Sequence, residues 1–385
     1  MKVIVLKENL NTGINIVARA SGKNLTLPIL NNILISAEKN FLNLSATDLE
    51  LGIKYWILTK IEKEGKITVP SKVFSGLINF LPNEKLTLES KNQTLYISSE
   101  NHKTQIKGQT AEEFPIIPKI EDKNSIELNC AQFCKGLSQV VDFSVLNQAR
   151  PELSGVYLSF QKNKLQLAAT DSFRLAEKNL YLEKNNQKPA VHTQEISFIL
   201  PQKTAREIIN ILSDKKGKLR LYYSSNQVLF EYLMEETSHP QIEIVSRLIE
   251  GDYPDYQGII PQKYQTQVVL SKSDLLNQIK AASIFSGKSN EVKIKVDFKR
   301  EGVEIISQNP EYGENRSFLK GVLDYDEGAV KEMEVSFNYR FLVDGLLNIP
   351  TSKVVFGLNG EEGPAVLKPE SDQDYIYVVM PIKSS

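Results

Sequence analysis

The sequence predicts an α+β protein of three tandem domains, each with two helices packed on sheets. Its 385 residues suit three domains of about 100–150 residues each. A stretch that runs from alternating leucines into Ala-Thr-Asp occurs twice, at residues 42–51 and 165–175. Asp48 and Asp171 lie 123 residues apart, and this period exceeds the roughly 20–50 residues of a solenoid unit. The repeat therefore indicates whole domains in tandem.

Both occurrences of the repeat have the same local pattern. Leucines alternate along a strand, so that one side of the strand faces a core. The strand then enters a Thr-Asp turn, where the short aspartate side chain can hydrogen-bond the turn backbone. In the last third of the chain, the corresponding position is Ser307-Gln-Asn309.

The first predicted domain spans residues 1–122. Its first helix has apolar residues at i, i+4, i+7 and i+8, the spacing of a core-facing side: Leu10, Ile14, Val17 and Ala18. Pro70 marks the start of a second helix, because proline lacks only an N–H that a first helical turn leaves unpaired. The apolar side of the second helix consists of Phe74, Leu77, Ile78 and Leu81.

The second and third predicted domains, residues 123–262 and 263–385, repeat this order. The apolar sides in the second domain are Phe133, Leu137, Val140 and Val141, and, after Pro201, Ala205, Ile208, Ile209 and Leu212. Those in the third domain are Leu275, Ile279 and Ala282, and, after Asn338, Leu342, Gly345, Leu346 and Ile349. A strand rich in β-branched residues closes the chain.

One basic residue recurs in each second helix. Counted from Pro70, Pro201 or Asn338, the apolar positions centre near about 30° on a helical wheel, whereas position 2 lies at about 200°. Position 2 is Lys72, Lys203 and Arg340. Either these are ordinary solvated charges, or their threefold recurrence marks a functional surface.

Composition excludes several classes of protein. A net charge of −1 excludes a uniformly basic nucleic-acid-binding protein, but not one with segregated charge. No stretch has the pattern of a signal peptide or a membrane span, which predicts a cytoplasmic protein. Cys130 and Cys134 fall on an apolar helical side without a second pair to complete a zinc site, so we interpret them as core residues.

The sequence has no motif of a phosphate-binding loop, a dinucleotide-binding loop or a zinc protease. His102, His192 and His239 lie in polar segments without the spacing of ligands. Asp48 and Asp171 could form a carboxylate pair for acid–base catalysis, but their turn context favours a structural role. The favoured class is a binding protein without catalytic residues, cofactor or metal, and an enzyme using Asp48 and Asp171 is the alternative.

The order of these motifs resembles the bacterial DNA polymerase III sliding clamp (β subunit) family over residues 1–382. The segments that carry the resemblance are Thr26-Leu-Pro-Ile-Leu30, Ala46-Thr-Asp-Leu-Glu50, Ala169-Thr-Asp-Ser-Phe-Arg-Leu175, Tyr253-Pro-Asp-Tyr256 and Val378-Val-Met-Pro381. The resemblance implies three clamp-type domains in a crescent-shaped subunit. Two subunits would join head to tail in a ring around duplex DNA and act as a DNA polymerase processivity factor.

In such a ring the helices face the DNA, which gives the outward basic residues a role. The six predicted helices carry eight basic residues (Arg19, Lys72, Lys135, Lys203, Arg206, Lys280, Lys288 and Arg340) against five acidic ones (Glu8, Asp142, Glu207, Asp274 and Asp344). Contacts to phosphates hold no sequence information, as sliding requires. The predicted DNA-facing residues are Lys23, Lys72, Lys135, Arg150, Lys203, Arg206, Lys280 and Arg340.

The resemblance also implies a groove between the second and third domains for short peptides of the polymerase, the clamp loader and repair proteins. Its predicted lining is Leu153, Thr170, Ser172, Phe173, Arg174, Leu175, Pro254, Ile259, Pro364, Val378, Met380, Pro381 and Ile382. An apolar trough with an adaptable methionine and a few polar groups suits an extended peptide. The chain departs from relatives at Phe173, where histidine is frequent, and at Gly258, where some carry a basic residue.

The resemblance implies that the homodimer interface joins Thr104 and Ile106 of the first domain to Ile284 and Phe285 of the third. A monomeric adaptor that binds peptides without encircling DNA is the remaining alternative.

Overall fold

The computed structural model describes residues 1–22, 26–120, 125–147, 149–182, 195–235, 237–325 and 333–383. The chain divides into two compact units. Unit 1 comprises Met1–Cys134 and Lys203–Leu248, and unit 2 comprises Lys135–Gln202 and Ile249–Ser385.

Within the described residues, one order of elements, a strand, a helix and three strands, occurs six times, twice in each third. The first third contains β1 (Lys2–Leu6), α1 (Lys7–Val17), β2 (Asn32–Glu38), β3 (Phe41–Thr47), β4 (Leu51–Leu58), an additional β5 (Lys60–Lys63), β6 (Gly65–Pro70), α2 (Ser71–Phe80), β7 (Lys85–Lys91), β8 (Thr94–Ser98) and β9 (Lys103–Lys107).

The second third contains β10 (Ser125–Asn129), α3 (Cys130–Val140), β11 (Gly155–Gln161), β12 (Lys164–Thr170), β13 (Arg174–Tyr181), β14 (Ile196–Pro201), α4 (Gln202–Leu212), β15 (Lys218–Tyr223), β16 (Gln227–Leu233) and β17 (Pro240–Arg247). The last third contains β18 (Thr266–Ser271), α5 (Lys272–Ser283), β19 (Glu291–Asp297), β20 (Gly302–Asn309), β21 (Gly313–Lys320), an additional β22 (Val322–Tyr325), β23 (Met333–Asn338), α6 (Tyr339–Leu347), β24 (Lys353–Leu358), β25 (Ala365–Pro369) and β26 (Tyr375–Val379).

The strands of the described segments form four antiparallel sheets. Unit 1 has a five-stranded sheet, β5-β1-β7-β8-β9, and an eight-stranded sheet, β10-β15-β16-β17-β4-β3-β2-β6. Unit 2 has a nine-stranded sheet, β14-β11-β12-β13-β26-β25-β24-β18-β22, and a four-stranded sheet, β21-β20-β19-β23. The two larger sheets cross the predicted limits between thirds through the pairs β4–β17 and β13–β26. The limits at residues 122 and 262 therefore stay predictions.

The predicted helical sides pack into the cores. α1 packs on α2 and β4, and α5 packs on α6, β20 and β21. The first-helix residues Leu10, Phe133 and Leu275 are all buried. Ala18 is only half-buried, because α1 ends at Val17 and Ala18 begins a 3₁₀ turn. Leu77 and Ile209, at the borders of their apolar sides, are also half-buried.

The prolines act differently from the sequence prediction. Pro70 and Pro201 end β6 and β14, and α2 and α4 begin at the next residue. Both strands lie at the edge of a sheet, where a missing N–H removes no ladder hydrogen bond. Asn338, their counterpart in the last third, caps α6, because its side chain accepts a 3.0 Å hydrogen bond from the Arg340 N–H.

The cysteines are core residues, as predicted. Both are free and buried. Sγ of Cys130 lies 3.6 Å from the Leu212 carbonyl oxygen on α4. His102 is exposed and His239 stacks on Phe41 with a centroid separation of 3.9 Å, whereas His192 lies outside the described residues. Among the described helices, none combines the length and the apolar content that crossing a bilayer requires.

Gly345 of α6 gives a test of the packing in unit 2. A Cβ at this position would lie 2.4 Å from two ring carbons of the buried Tyr377. Because that ring is held in the core, Gly345→Ala is expected to lower the free energy of unfolding by about 1–3 kcal/mol. Urea unfolding followed by circular dichroism measures the change.

Gly258→Ala is the control for this experiment. A Cβ at Gly258 meets no heavy atom within 4 Å, so its effect should stay within about 0.5 kcal/mol. Equal effects of the two substitutions would contradict the contact between Gly345 and Tyr377.

Candidate functional site

The Thr-Asp turns are built by the same hydrogen bonds in both occurrences. Oδ1 of Asp48 accepts from the Glu50 and Leu51 N–H groups at 3.0 and 2.7 Å. Oδ1 of Asp171 accepts from the Phe173 and Arg174 N–H groups, both at 3.0 Å. The threonine hydroxyl before each aspartate donates to the carbonyl four residues on. Each turn is therefore closed by its own two side chains.

The third turn has the same frame with an amide in place of the carboxylate. Oδ1 of Asn309 accepts from the Glu311 and Tyr312 N–H groups at 2.8 and 3.3 Å. The offsets of two and three residues equal those at Asp48 and Asp171. The sequence prediction that Asn309 is the counterpart of the two aspartates is therefore consistent with the hydrogen bonding.

The remaining oxygens of the two aspartates are also engaged. Oδ2 of Asp48 pairs with Lys203, and Oδ2 of Asp171 lies 2.9 Å from Nε of Arg174. The two aspartates lie in different compact units. Because their oxygens hold turn backbone and cations, both aspartates act as structural groups in the described residues.

The turn of Asp171 leads into the predicted peptide groove of unit 2. β13 pairs with β26 so that Arg174 faces Val379 and Leu175 faces Val378. The Met380 N–H then donates a 2.9 Å hydrogen bond to the Phe173 carbonyl oxygen. Backbone pairing thus brings the two predicted segments, residues 170–175 and 378–382, side by side.

The floor of this region is apolar. Leu175 and Val378 pack with Ala168, Tyr256 and Val366 in one buried cluster. The predicted groove residues differ in exposure around it. Leu153, Leu175 and Val378 are buried; Thr170, Arg174, Pro254, Pro364, Met380, Pro381 and Ile382 are half-buried; Ser172, Phe173 and Ile259 are exposed.

Sequence reasoning missed an aromatic group beside this floor. The rings of Tyr157 and Tyr253 stack at 4.8 Å, and both meet Tyr256 edge to face. Burial raises the pKa of the Tyr253 and Tyr256 hydroxyls, and the nearby Glu177 carboxylate raises that of Tyr256 further. Both hydroxyls therefore stay neutral at physiological pH. The Tyr-Pro-Asp-Tyr motif was a signal for two of the three.

Arg174 joins the groove strand to helix α6. Its guanidinium pairs with Asp171 and with Asp344 of α6. It also lies 4.6 Å from the ring centroid of Phe341 and 5.3 Å from that of Phe143. An arginine held by two carboxylates and two aromatic faces is fixed in position, because its planar fork and its π-system are both used.

The predicted DNA-facing residues that the structure describes are all exposed: Lys72, Lys203 and Arg206 in unit 1, and Lys135, Arg150, Lys280 and Arg340 in unit 2. Lys23 lies outside the described residues. Lys203 pairs with Asp48, and Arg150 lies 3.1 Å from Glu152 and donates to the Ser172 hydroxyl at 3.3 Å. Arg150 therefore lies beside the groove turn. Lys288 is exposed as well, and Arg19 pairs with Glu207 at 3.1 Å.

The predicted interface residues lie on elements with open sides. Thr104 is exposed and Ile106 is buried on β9, the edge strand of the five-stranded sheet. Ile284, directly after α5, is 71% exposed, and Phe285 is half-buried. Of these four predicted interface residues, Ile284 is therefore the one whose large apolar side chain is exposed and could contact a partner.

Comparison with known proteins identifies the family. The profile "DNA polymerase III beta subunit, N-terminal domain" matches residues 1–118, the central-domain profile matches residues 127–255, and the C-terminal-domain profile matches residues 257–383. The three matches follow one another in the order of the family's own domains. The chain belongs to the DNA polymerase III beta subunit family.

Relatives within this family match the chain from end to end. It is 26% identical over 389 residues to the beta sliding clamp of Synechococcus elongatus, covering 100% of this chain and 99% of that protein. It is 28% identical over 395 residues to the beta sliding clamp of Staphylococcus epidermidis, covering both chains fully.

Solved structures of the family have the same fold. The DNA polymerase sliding clamp of Bacillus subtilis matches with a TM-score of 0.91 at 25% identity, and the DNA polymerase III beta subunit of Thermotoga maritima with 0.88 at 27%. Both matches cover 100% of each chain. The predicted fold of three clamp domains is confirmed.

Membership of the DNA polymerase III beta subunit family makes this chain a polymerase processivity factor, an accessory subunit rather than an enzyme. Neither the family nor the engaged aspartates support an enzyme that uses Asp48 and Asp171, and nothing supports the monomeric adaptor.

Proposed function

We propose that two copies of this chain join head to tail in a ring that encircles duplex DNA. The groove of unit 2 then tethers the replicative DNA polymerase, the clamp loader and other DNA-processing proteins through short peptide segments. Such a ring acts in the cytoplasm, the location that the sequence predicts. The observation that supports the ring concerns two edge strands, β9 and β21. Strands at the equivalent places elsewhere in the repeat pair with each other.

The internal junctions follow one rule. Each third of the chain consists of two halves with the same order of elements. β4 and β13 end the first halves of the first and second thirds, whereas β17 and β26 end the second halves of the second and last thirds. β4 pairs with β17, and β13 pairs with β26, each time antiparallel. Two strands that end a half remain: β21 in the first half of the last third and β9 in the second half of the first third. The same rule makes β21 and β9 partners. In the described residues both are edge strands.

If β9 and β21 of one chain paired with each other, neither edge would be open to a second subunit. Pairing β9 of one chain with β21 of another instead gives a head-to-tail contact, and two such contacts close a ring of two chains. Exposed edge strands are costly and prone to unwanted pairing unless a partner covers them. The ring supplies that partner for both edges.

Helices from the same parts of the repeat as these edges support the same junction. In unit 1, Arg19 after α1 pairs with Glu207 of α4. The counterparts of these two residues in the repeat are Ile284 after α5 and Gly76 of α2. Near Gly76, Val73 and Phe80 are 54% and 90% exposed on α2. We therefore place an apolar contact at the ring junction where unit 1 has an ion pair.

Val73 and Phe80 were not among the interface residues predicted from the sequence. Their signal is that they are apolar and lie outside the core-facing positions 4, 7, 8 and 11 of α2. A single exposed apolar residue means little, but two on one helix of a monomer favour an interface.

The basic residues on the helices support contact with DNA. Lys72 and Arg340 are exposed at equivalent positions of α2 and α6. Lys203 occupies the same position of α4 but is engaged by Asp48. Contacts of this kind to phosphates are independent of sequence and weaken with salt. A modest positive lining suits a ring that must slide.

The groove supports peptide binding. Its floor is apolar, Met380 is half-buried and flexible enough to fit different side chains, and Phe173 is 63% exposed beside it. The aromatic rings of Tyr157 and Tyr253 extend the apolar surface. Anchoring residues of an extended peptide would be desolvated there.

Met380→Ala tests the groove. We expect it to weaken a labelled peptide copied from the tail of the replicative polymerase by about 1–2 kcal/mol, or roughly 5–30-fold in Kd, because an anchor pocket loses its methionine. Fluorescence anisotropy gives the Kd. Tyr181→Ala is the control, since Tyr181 is 59% exposed at the far end of β13. An unchanged Kd for Met380→Ala would remove Met380 from the site.

Ile284→Asp tests the ring junction. We expect the mass in solution to fall from two chains to one chain of 43.5 kDa, because a charge replaces the apolar contact with α2. Light scattering at micromolar concentration measures the mass. Ile116→Asp, at a residue that is 92% exposed in the first third, should keep the two-chain mass. A one-chain mass for the unmodified protein would favour the monomeric adaptor.

Retention on DNA tests encirclement. After loading onto nicked circular DNA with the clamp loader and ATP, the protein should stay bound through gel filtration in high salt, because a closed ring cannot leave a circle. Cutting the circle should release it. Blocking both new ends with bulky protein should restore retention. Equal retention on circles and on open linear DNA would show that the protein does not encircle DNA.

A further inference from the structure

We infer that unit 1 repeats the backbone frame of the peptide groove, meaning the Thr-Asp turn and the pair of strands that it leads into. We infer further that an exposed ion pair between Glu50 and Arg247 keeps apolar peptides out of this second frame. This inference rests on the proposed peptide groove of unit 2. It assigns Phe173 and Met380 as the residues that determine peptide binding.

The backbone of the two frames is the same. In unit 1, β4 pairs with β17 so that Leu51 faces Ser246 and Gly52 faces Val245. The Arg247 N–H donates a 2.9 Å hydrogen bond to the Glu50 carbonyl oxygen. In unit 2, the Met380 N–H donates to the Phe173 carbonyl oxygen, also at 2.9 Å. Glu50 and Arg247 are thus the counterparts of Phe173 and Met380.

The turns that lead into the two frames also agree. The residue after each aspartate has a left-handed backbone, with φ of 79° at Leu49 and 77° at Ser172. In both turns the aspartate accepts from the N–H groups two and three residues further on. The turn therefore presents residue 50 in unit 1 as it presents residue 173 in unit 2.

The floors correspond as well. Ile117, Leu229 and Val245 form one buried cluster in unit 1. Their counterparts Tyr256, Val366 and Val378 belong to the buried cluster of unit 2. Ile117 follows Phe114-Pro by two residues, as Tyr256 follows Tyr253-Pro. An apolar floor covered by the following chain segment is thus present in both units.

The rims differ in charge. Nη1 of Arg247 lies 3.8 Å from Oε1 of Glu50, and the two side chains are 61% and 67% exposed. An apolar anchor placed here would have to strip water from both charges, which is unfavourable without new polar partners. Phe173 and Met380 present no such charges. The backbone frame is thus shared, and the surfaces differ in this ion pair and in one floor residue, Gly52 against Ile117 where unit 2 has Leu175.

The ion pair is exposed, and exposed pairs contribute little to stability. Both of its residues can therefore be exchanged with the fold intact. The reverse substitutions at Phe173 and Met380 introduce the two charges into unit 2. The two double substitutions form a matched pair of variants.

The first variant, Glu50→Phe with Arg247→Met, should bind two polymerase-tail peptides per chain, where the unmodified chain binds one. The second, Phe173→Glu with Met380→Arg, should bind the peptide at least about tenfold more weakly. The variant with all four changes should recover binding at one peptide per chain. Isothermal titration calorimetry gives the stoichiometry, and thermal melting checks the fold.

A photoreactive group on the peptide locates the site. It should label residues near 50 and 247 in the four-change variant, and residues near 173 and 380 in the unmodified chain. Glu50→Leu with Arg247→Met, which also removes both charges, replaces the first double change if that variant does not fold, and it should still admit a second peptide. A stoichiometry of one for every folded unit 1 variant overturns the inference, as does labelling that stays near residue 173. Failure of the unmodified chain to bind the peptide contradicts the proposed function instead.

Discussion

The pairing of terminal strands is the constraint on which the rest of the structure depends. A strand at the edge of a sheet leaves its N–H and C=O groups open, and they need a partner or protection. The chain meets this need twice internally, by joining β4 to β17 and β13 to β26. Each of these joints makes one continuous sheet from strands of two successive thirds of the chain. The proposed peptide groove, the equivalent arrangement in unit 1 and the turns that lead into them all lie at these joints.

The turns make the joints reproducible. An aspartate or asparagine oxygen accepts two backbone N–H groups at Asp48, Asp171 and Asn309, which sets the direction in which the following strand leaves. What differs is the use of the second oxygen. At Asp171 it holds Arg174, which in turn holds Asp344 of α6. One local turn is thus connected to a helix from another part of the sequence, and the groove strand gains a fixed position.

Charge in this protein acts through placement rather than amount. A count of residues on the helices suggests a positive surplus in which Glu207, the partner of Arg19, is already included, but Lys203 also pairs with Asp48, which lies outside the helices. The charge available to an anion is therefore smaller than the count. Such a weakly positive surface is compatible with a protein whose net charge is −1 and whose contacts with DNA need only be transient.

Sequence alone determined the features that depend on near neighbours along the chain. The apolar sides that contain Leu10, Phe133 and Leu275 follow from helical periodicity. The turns follow from an aspartate reaching backbone two or three residues away. Even the prolines were informative, although they end edge strands instead of opening helices. The threefold architecture could be predicted because it repeats these local patterns.

Only the tertiary structure decided which distant groups meet. Nothing local to Arg174 indicates that Asp344, 170 residues away, lies against it, and nothing local to Lys203 indicates Asp48. The register of β13 against β26 and the stacking of Tyr157 on Tyr253 are of the same kind. Periodicity specifies which side of an element is buried, whereas the partner on that side depends on how the whole chain closes.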